Sequence, residues 1–145
     1  MTEQRRDRSP CCAPPSGPPA QAMFPTGPEA AHAARAYVRE LLTYEDEQRL
    51  DEDRLDDVLL IVSELVTNSF RYGTGPGDSV IVTVLTTAET VRVEVDDPSC
   101  LRPYLRDESG ESDCGRGLHI VNALAARWDV DDRPFGKKVW AEVAR

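Results

Sequence analysis

Ser63-Glu64-Leu65-Val66-Thr67-Asn68-Ser69-Phe70-Arg71-Tyr72-Gly73 is the stretch that decides the fold, because it carries two faces at once. Reading back from it, Leu55, Val58, Leu59, Val62, Leu65, Val66 and Ser69 recur at helical spacing and define a buried stripe. At roughly 100° per residue, Glu64 and Asn68 fall on the opposite side, one turn apart and stacked on a shared face. Leu60 and Ile61 lie on that second face too, and a helix apolar on both sides is covered on both sides. Glu64 and Asn68 then point into a half-buried space that calls for an occupant. An ordinary amphipathic helix with a surface Glu and Asn is the plain alternative. The helix alone leaves both open.

Outward from this stretch, the helix extends over residues 51–72 and is ended by Gly73 and the Gly75-Pro76-Gly77 cluster. Residues 29–43 read as an earlier helix, with Ala33, Ala36, Tyr37 and Leu41 facing in. Residues 1–22, rich in Pro, Arg, Ser and Ala, read as a disordered tail ahead of a domain at 23–145. Two strands follow the long helix, at 79–85 and 90–95, joined as a hairpin through 86–89. Residues 98–114 form an aperiodic polar loop of the length a lid needs. Gly115-Arg116-Gly117 opens a helix to Trp128, with Leu118, Val121, Leu124, Ala125 and Trp128 as its apolar stripe. Short strands near 129–131 and 138–143 close the chain. This order predicts an α+β two-layer sandwich, with the helices on one face of the sheet.

The 145 residues suit one domain with a core of its own. A net charge of −9 lacks the basic stripe that nucleic acid requires, and it disfavours an anionic membrane surface. No apolar run reaches transmembrane length and the N-terminus carries no signal-peptide pattern, so a cytoplasmic protein is expected. Cys11 and Cys12 are adjacent, while Cys100 and Cys114 stand apart, which is no disulfide framework. Cys100, Cys114 and His119 match no closed zinc-site spacing, and His32 reads as a surface residue.

Chemistry gathers at three places. Asp97 ends a strand whose Val91, Val93 and Val95 mark one side as core, and it stands at the sheet's edge where the long loop begins. Beyond that loop, Gly115-Arg116-Gly117 lies at a helix N-terminus, where free N–H groups and the helix dipole favour an anion such as phosphate. Glycine there lets backbone approach a ligand closely. A lone Gly-x-Gly is weak. With the Glu64/Asn68 helix and a lid-length loop it becomes a pattern.

That pattern resembles an established family. Glu64-x-x-x-Asn68, Val95-Asp96-Asp97, the variable loop, Gly115-Arg116-Gly117-Leu118 and Gly136-Lys137-Lys138-Val139-Trp140 look like the ordered motifs of the GHKL (Bergerat-fold) ATPases. Ser63-Glu64-Leu65-Val66-Thr67-Asn68 and Ala126-Arg127-Trp128 are similar to the stand-alone branch related to anti-sigma-factor serine kinases. The resemblance implies a Bergerat-type mixed, mostly antiparallel sheet covered on one face by three helices. It implies ATP and Mg²⁺ as cofactors, with Asn68 as metal ligand and Glu64 as the general base that polarises the attacking hydroxyl. Asp97 would accept the adenine amino group, Gly115 and Gly117 would let the loop fold over the triphosphate, and Arg116 is the cation nearest to it, with a solvated arginine at the helix start equally open. The expected partner is a protein, an anti-anti-sigma-like antagonist, with room for a sigma factor and for a homodimer.

The sequence departs from the family at two places. Asp97-Pro98-Ser99 lacks the glycine usual two positions after the aspartate, and Lys137 and Lys138 replace a small hydroxyl residue. Phosphate contact and plain solvation are both open to these lysines. The lid is acidic, with Asp107, Glu108, Glu111 and Asp113, which opposes a bound triphosphate. Two readings follow: a regulatory serine/threonine kinase acting on a partner protein, and a catalytically weak or inactive module that uses nucleotide to grip one. A histidine kinase's ATPase domain is disfavoured, since no helical hairpin with a phosphoacceptor His precedes the domain in this sequence.

Overall fold

The computed structural model describes residues 20–44, 50–72, 75, 77–99 and 114–145, with backbone alone at 71–72 and 114–116. The expected tail up to residue 19, most of the expected lid, and the side chains of Arg71, Tyr72, Arg116 and all four cysteines lie outside the described residues.

The helix read from Leu55 to Ser69 is the centre of the molecule. This α2 runs Glu52–Tyr72, and Asp51 caps it by accepting the backbone N–H of Arg54 at 2.7 Å. Every residue of its expected stripe is buried, from Leu55 at 8% exposed to Val58 and Val62 at 0%. On its other face Ile61 is covered but Leu60 is exposed. α2 lies on the sheet between α1 (Ala30–Thr43) and α3 (Cys114–Leu124).

Beneath the helices, β1 (Gln21–Pro25), β2 (Ser79–Thr86), β3 (Thr90–Asp97), β4 (Arg127–Arg133) and β5 (Gly136–Ala144) form one sheet in the order β1-β2-β3-β5-β4. Each neighbouring pair is antiparallel. Alternation decides which face is core. Val80, Val82 and Val84, then Val91, Val93 and Val95, then Val139, Ala141 and Val143 are all buried against the helices. This is the α+β sandwich expected, with three helices on one face.

Three details correct the sequence reading. The α1 stripe is Ala30, Ala34, Val38 and Leu42, while Ala33 and Ala36 are exposed. An alanine-rich segment marks its inner face weakly, because alanine occurs all round it. α3 ends at Leu124, and Trp128 belongs to β4, where it pairs with Ala141 on the core face. β1 starts at Gln21, inside the stretch read as tail, and forms the edge beside β2.

Candidate functional site

Glu64 and Asn68 share one face of α2, as their spacing predicted, and both stand against the start of α3. A Cβ added to Gly117 would stand 2.7 Å from Oε2 of Glu64, and 3.2 and 3.4 Å from Oδ1 and Nδ2 of Asn68. Any side chain at position 117 would press on both. Glycine is what allows the α3 backbone to close on this pair. Gly115 and Arg116 fall in the same first turn of α3. One residue before Glu64, Ser63 Oγ accepts a 2.6 Å hydrogen bond from Nη1 of Arg35 and so ties α1 to this end of the site.

Asn68 tests whether a metal belongs here. Its Nδ2 is buried and has no hydrogen-bond partner in the structure, and an orphaned buried N–H donor carries a cost that an acceptor such as a phosphate oxygen can relieve. Among the described residues no group of three or more His, Cys, Asp or Glu converges anywhere. A closed protein cage is therefore absent from them. One amide oxygen, completed by phosphate oxygens and water, is a donor set that suits Mg²⁺. Asn68 Oδ1, which faces Gly117, is an oxygen of this kind.

Asp97 forms the other end. It lies at the end of the central strand β3 rather than on a lateral edge of the sheet, and its side chain is 0% exposed. Its Oδ2 accepts the hydroxyl of Ser69 at 3.0 Å. Its Oδ1 accepts the backbone N–H of Ser99 at 2.9 Å and Nζ of Lys137 at 2.9 Å. Asn68 and Ser69 are consecutive on α2, so one helical turn serves both ends of the site.

Lys137 was open to phosphate or solvent in the sequence; it is instead a buried ion-pair partner, directly across from Asp97 in the β3–β5 register. Gly136 makes this possible. A Cβ there would fall onto the Asp97 carbonyl oxygen and 2.9 Å from Cα of Pro98, at a φ of +157° that side chains rarely adopt. Lys138 points to the opposite face and pairs with Glu94 at 2.6 Å. Asp96 turns away as well, toward Arg133 and Lys138; burial pushes its carboxyl up despite those two cations. Asp97, not Asp96, faces the site.

Ser69 and Lys137 are the residues that sequence reasoning missed. Ser69 was counted only as part of the buried stripe. Nothing local marks Lys137; only the register of the closing strand brings it to Asp97.

Comparison with known proteins decides the family. The profile of the histidine kinase-like ATPase domain matches residues 24–143. The chain belongs to that family. A histidine kinase-like ATPase domain is built to bind ATP. Among solved structures, the chain is similar to the RsbU and RsbW domains of Rv1364c from Mycobacterium tuberculosis, with a TM-score of 0.58 and 20% identity. It is also similar to the histidine kinase domain of the blue-light activated histidine kinase from Erythrobacter litoralis EL346, with a TM-score of 0.47 and 17% identity. These matches cover 86% and 76% of this chain, but only 33% and 60% of those chains. The first shows the shared fold. No curated protein matches the chain.

Proposed function

We propose that this histidine kinase-like ATPase domain is a regulatory protein serine/threonine kinase, which transfers the γ-phosphoryl group of ATP to a hydroxyl on a partner protein. The observation that carries this reading is the convergence of Glu64, Asn68 and Gly117 at contact distance. It puts a carboxylate, an amide and a close-approach glycine around one small volume. Magnesium bound at Asn68 would neutralise charge on the phosphates. Glu64 accepts the proton of the attacking hydroxyl as that oxygen bonds to the γ-phosphorus and the bond to the β-phosphate bridging oxygen breaks, releasing ADP. Gly117 keeps the backbone of α3 close enough to cover the phosphates, and Asp97 receives the base.

The likeness of Ser63 to Asn68 and of Ala126 to Trp128 to anti-sigma-factor kinases supports a cytoplasmic antagonist protein as the substrate. Glu64→Gln tests the chemistry. It keeps the side-chain volume and removes the base, so ATP affinity stays within about threefold while phosphotransfer falls about 10²- to 10⁴-fold. The readout is transfer of labelled phosphate to the partner that the immobilised protein retains with ATP and magnesium, with the acceptor residue mapped. Equal transfer by both forms refutes the role of Glu64. A wild type that grips its partner without transfer makes this a nucleotide-dependent binding module.

A further inference from the structure

The buried Asp97–Lys137 pair does more than neutralise charge. An ionised carboxylate offers about four lone-pair sites. Ser99 N–H and Lys137 Nζ take both on Oδ1, and the Ser69 hydroxyl takes one on Oδ2. One acceptor site is left, on Oδ2. An ammonium has three N–H donors. Lys137 gives one to Asp97 and directs another at the Ser99 carbonyl, a long contact at 3.5 Å. The third has no partner among the described residues. The pair thus holds one spare acceptor and one spare donor. The 2.9 Å contact of Nζ is with Oδ1, and Oδ2, which carries the spare site, is the other oxygen of the same carboxylate, so both belong to one ion pair that a single base edge can meet.

We infer that Lys137 is a specificity residue for the nucleobase: Asp97 accepts the exocyclic amino group of adenine, and Lys137 donates to the ring nitrogen N1 beside it. This rests on the reading of the site as an ATP pocket. An acceptor next to a donor is the complement of the adenine edge. Guanine in the same seat would set its O6 against the carboxylate and its N1–H against the ammonium, two mismatches in a buried site. A carboxylate alone reads only the amino group. The added lysine makes the reading two-point, and Ser69 and Gly136 hold the pair in register.

The test uses the intact protein and two analogues. In 1-deaza-ATP a C–H replaces N1 while the amino group stays; GTP reverses the edge. Titration calorimetry of the wild type with magnesium should show ATP binding about 10- to 100-fold tighter than 1-deaza-ATP, the size of one hydrogen bond to a charged donor. GTP should bind more weakly still. Lys137→Met should lose most of the preference for ATP over 1-deaza-ATP, with a thermal melt as its folding control. If that variant fails to fold, the wild-type comparison alone decides. Equal wild-type affinity for ATP and 1-deaza-ATP overturns the inference, as does a folded Lys137→Met that keeps the full preference. Failure of the wild type to bind any of the three nucleotides removes the ATP site itself, and this inference with it.

Discussion

Asn68 and Gly136 show how much one residue decides here. On the proposed role, Asn68→Ala removes the orphaned amide together with the oxygen that would hold the metal, so the gain in ATP affinity that magnesium brings should shrink about tenfold or more. Calorimetry with and without magnesium measures this, and an unchanged gain would remove Asn68 from the metal. Gly136→Ala acts on the backbone instead: its Cβ would meet the Asp97 carbonyl and Cα of Pro98, neither of which is the free end of a side chain. A loss of about 2–4 kcal/mol in urea unfolding is expected. A wild-type midpoint would show that β5 starts elsewhere. Glu64 and Asn68 were legible in the sequence because helical periodicity is local, and four residues apart means one face. Lys137 was not legible. A lysine in Gly136-Lys137-Lys138 looks solvated until the register of β3 and β5 sets it opposite Asp97.

At the scale of elements, β3 and β5 carry a second structure on the face away from the helices. Arg92 bonds Glu94 at 2.9 Å and Glu142 at 3.2 Å, Lys138 bonds Glu94, Arg127 bonds Glu142, and the Arg92 guanidinium stacks 3.9 Å above the ring of Trp140. Burial raises the Glu94 carboxyl, but hydrogen bonds from Lys138 and Arg92 and their charges outweigh it and hold the group below the usual carboxylate range. On Glu142 the hydrogen bond from Arg127 is the largest influence, and it acts the same way against a smaller effect of burial. A depressed folded-state pKa contributes stability above the unfolded value, near 4.3 for Glu, and loses it as pH falls through the folded value. Asp96, whose carboxyl is raised, works in the opposite sense and offsets part of this loss. Glu94→Gln should therefore cost about 1–2 kcal/mol at pH 7, and the difference from wild type should close below about pH 4. Denaturant unfolding at pH 7 and at low pH checks this, and a gap independent of pH would leave the network without an electrostatic role. The hairpin of β2 and β3 was readable from its alternating valines, whereas β1 was hidden among prolines and small residues. Trp128 fitted a helical stripe until pairing with Ala141 claimed it for β4.

For the whole molecule, the order of helices and strands was enough to indicate an α+β sandwich. The strand order β1-β2-β3-β5-β4 depends on long-range pairing that no local pattern encodes. That topology is what builds the site: α2 supplies Glu64, Asn68 and Ser69, β3 supplies Asp97, α3 supplies Gly117 and β5 supplies Lys137. A nucleotide held there bridges segments from position 64 to position 137 and binds only when they are assembled. Ligand that binds the folded state alone stabilises it by mass action, by about 2.7 kcal/mol at one hundred times its Kd. For a domain of this size that corresponds to a rise of roughly 8–11 °C in Tm. The rise should grow with the logarithm of ATP concentration in the presence of magnesium. It should be smaller with GTP, and smaller again in Asp97→Asn, where the amide puts a donor among the donors of Ser69, Ser99 and Lys137. Because a fixed shift from ionic strength would appear equally with sodium triphosphate and in the variants, the ranking separates specific binding from charge screening of a chain at −9. A Tm that does not depend on ATP concentration would mean that these elements meet for a purpose other than holding nucleotide.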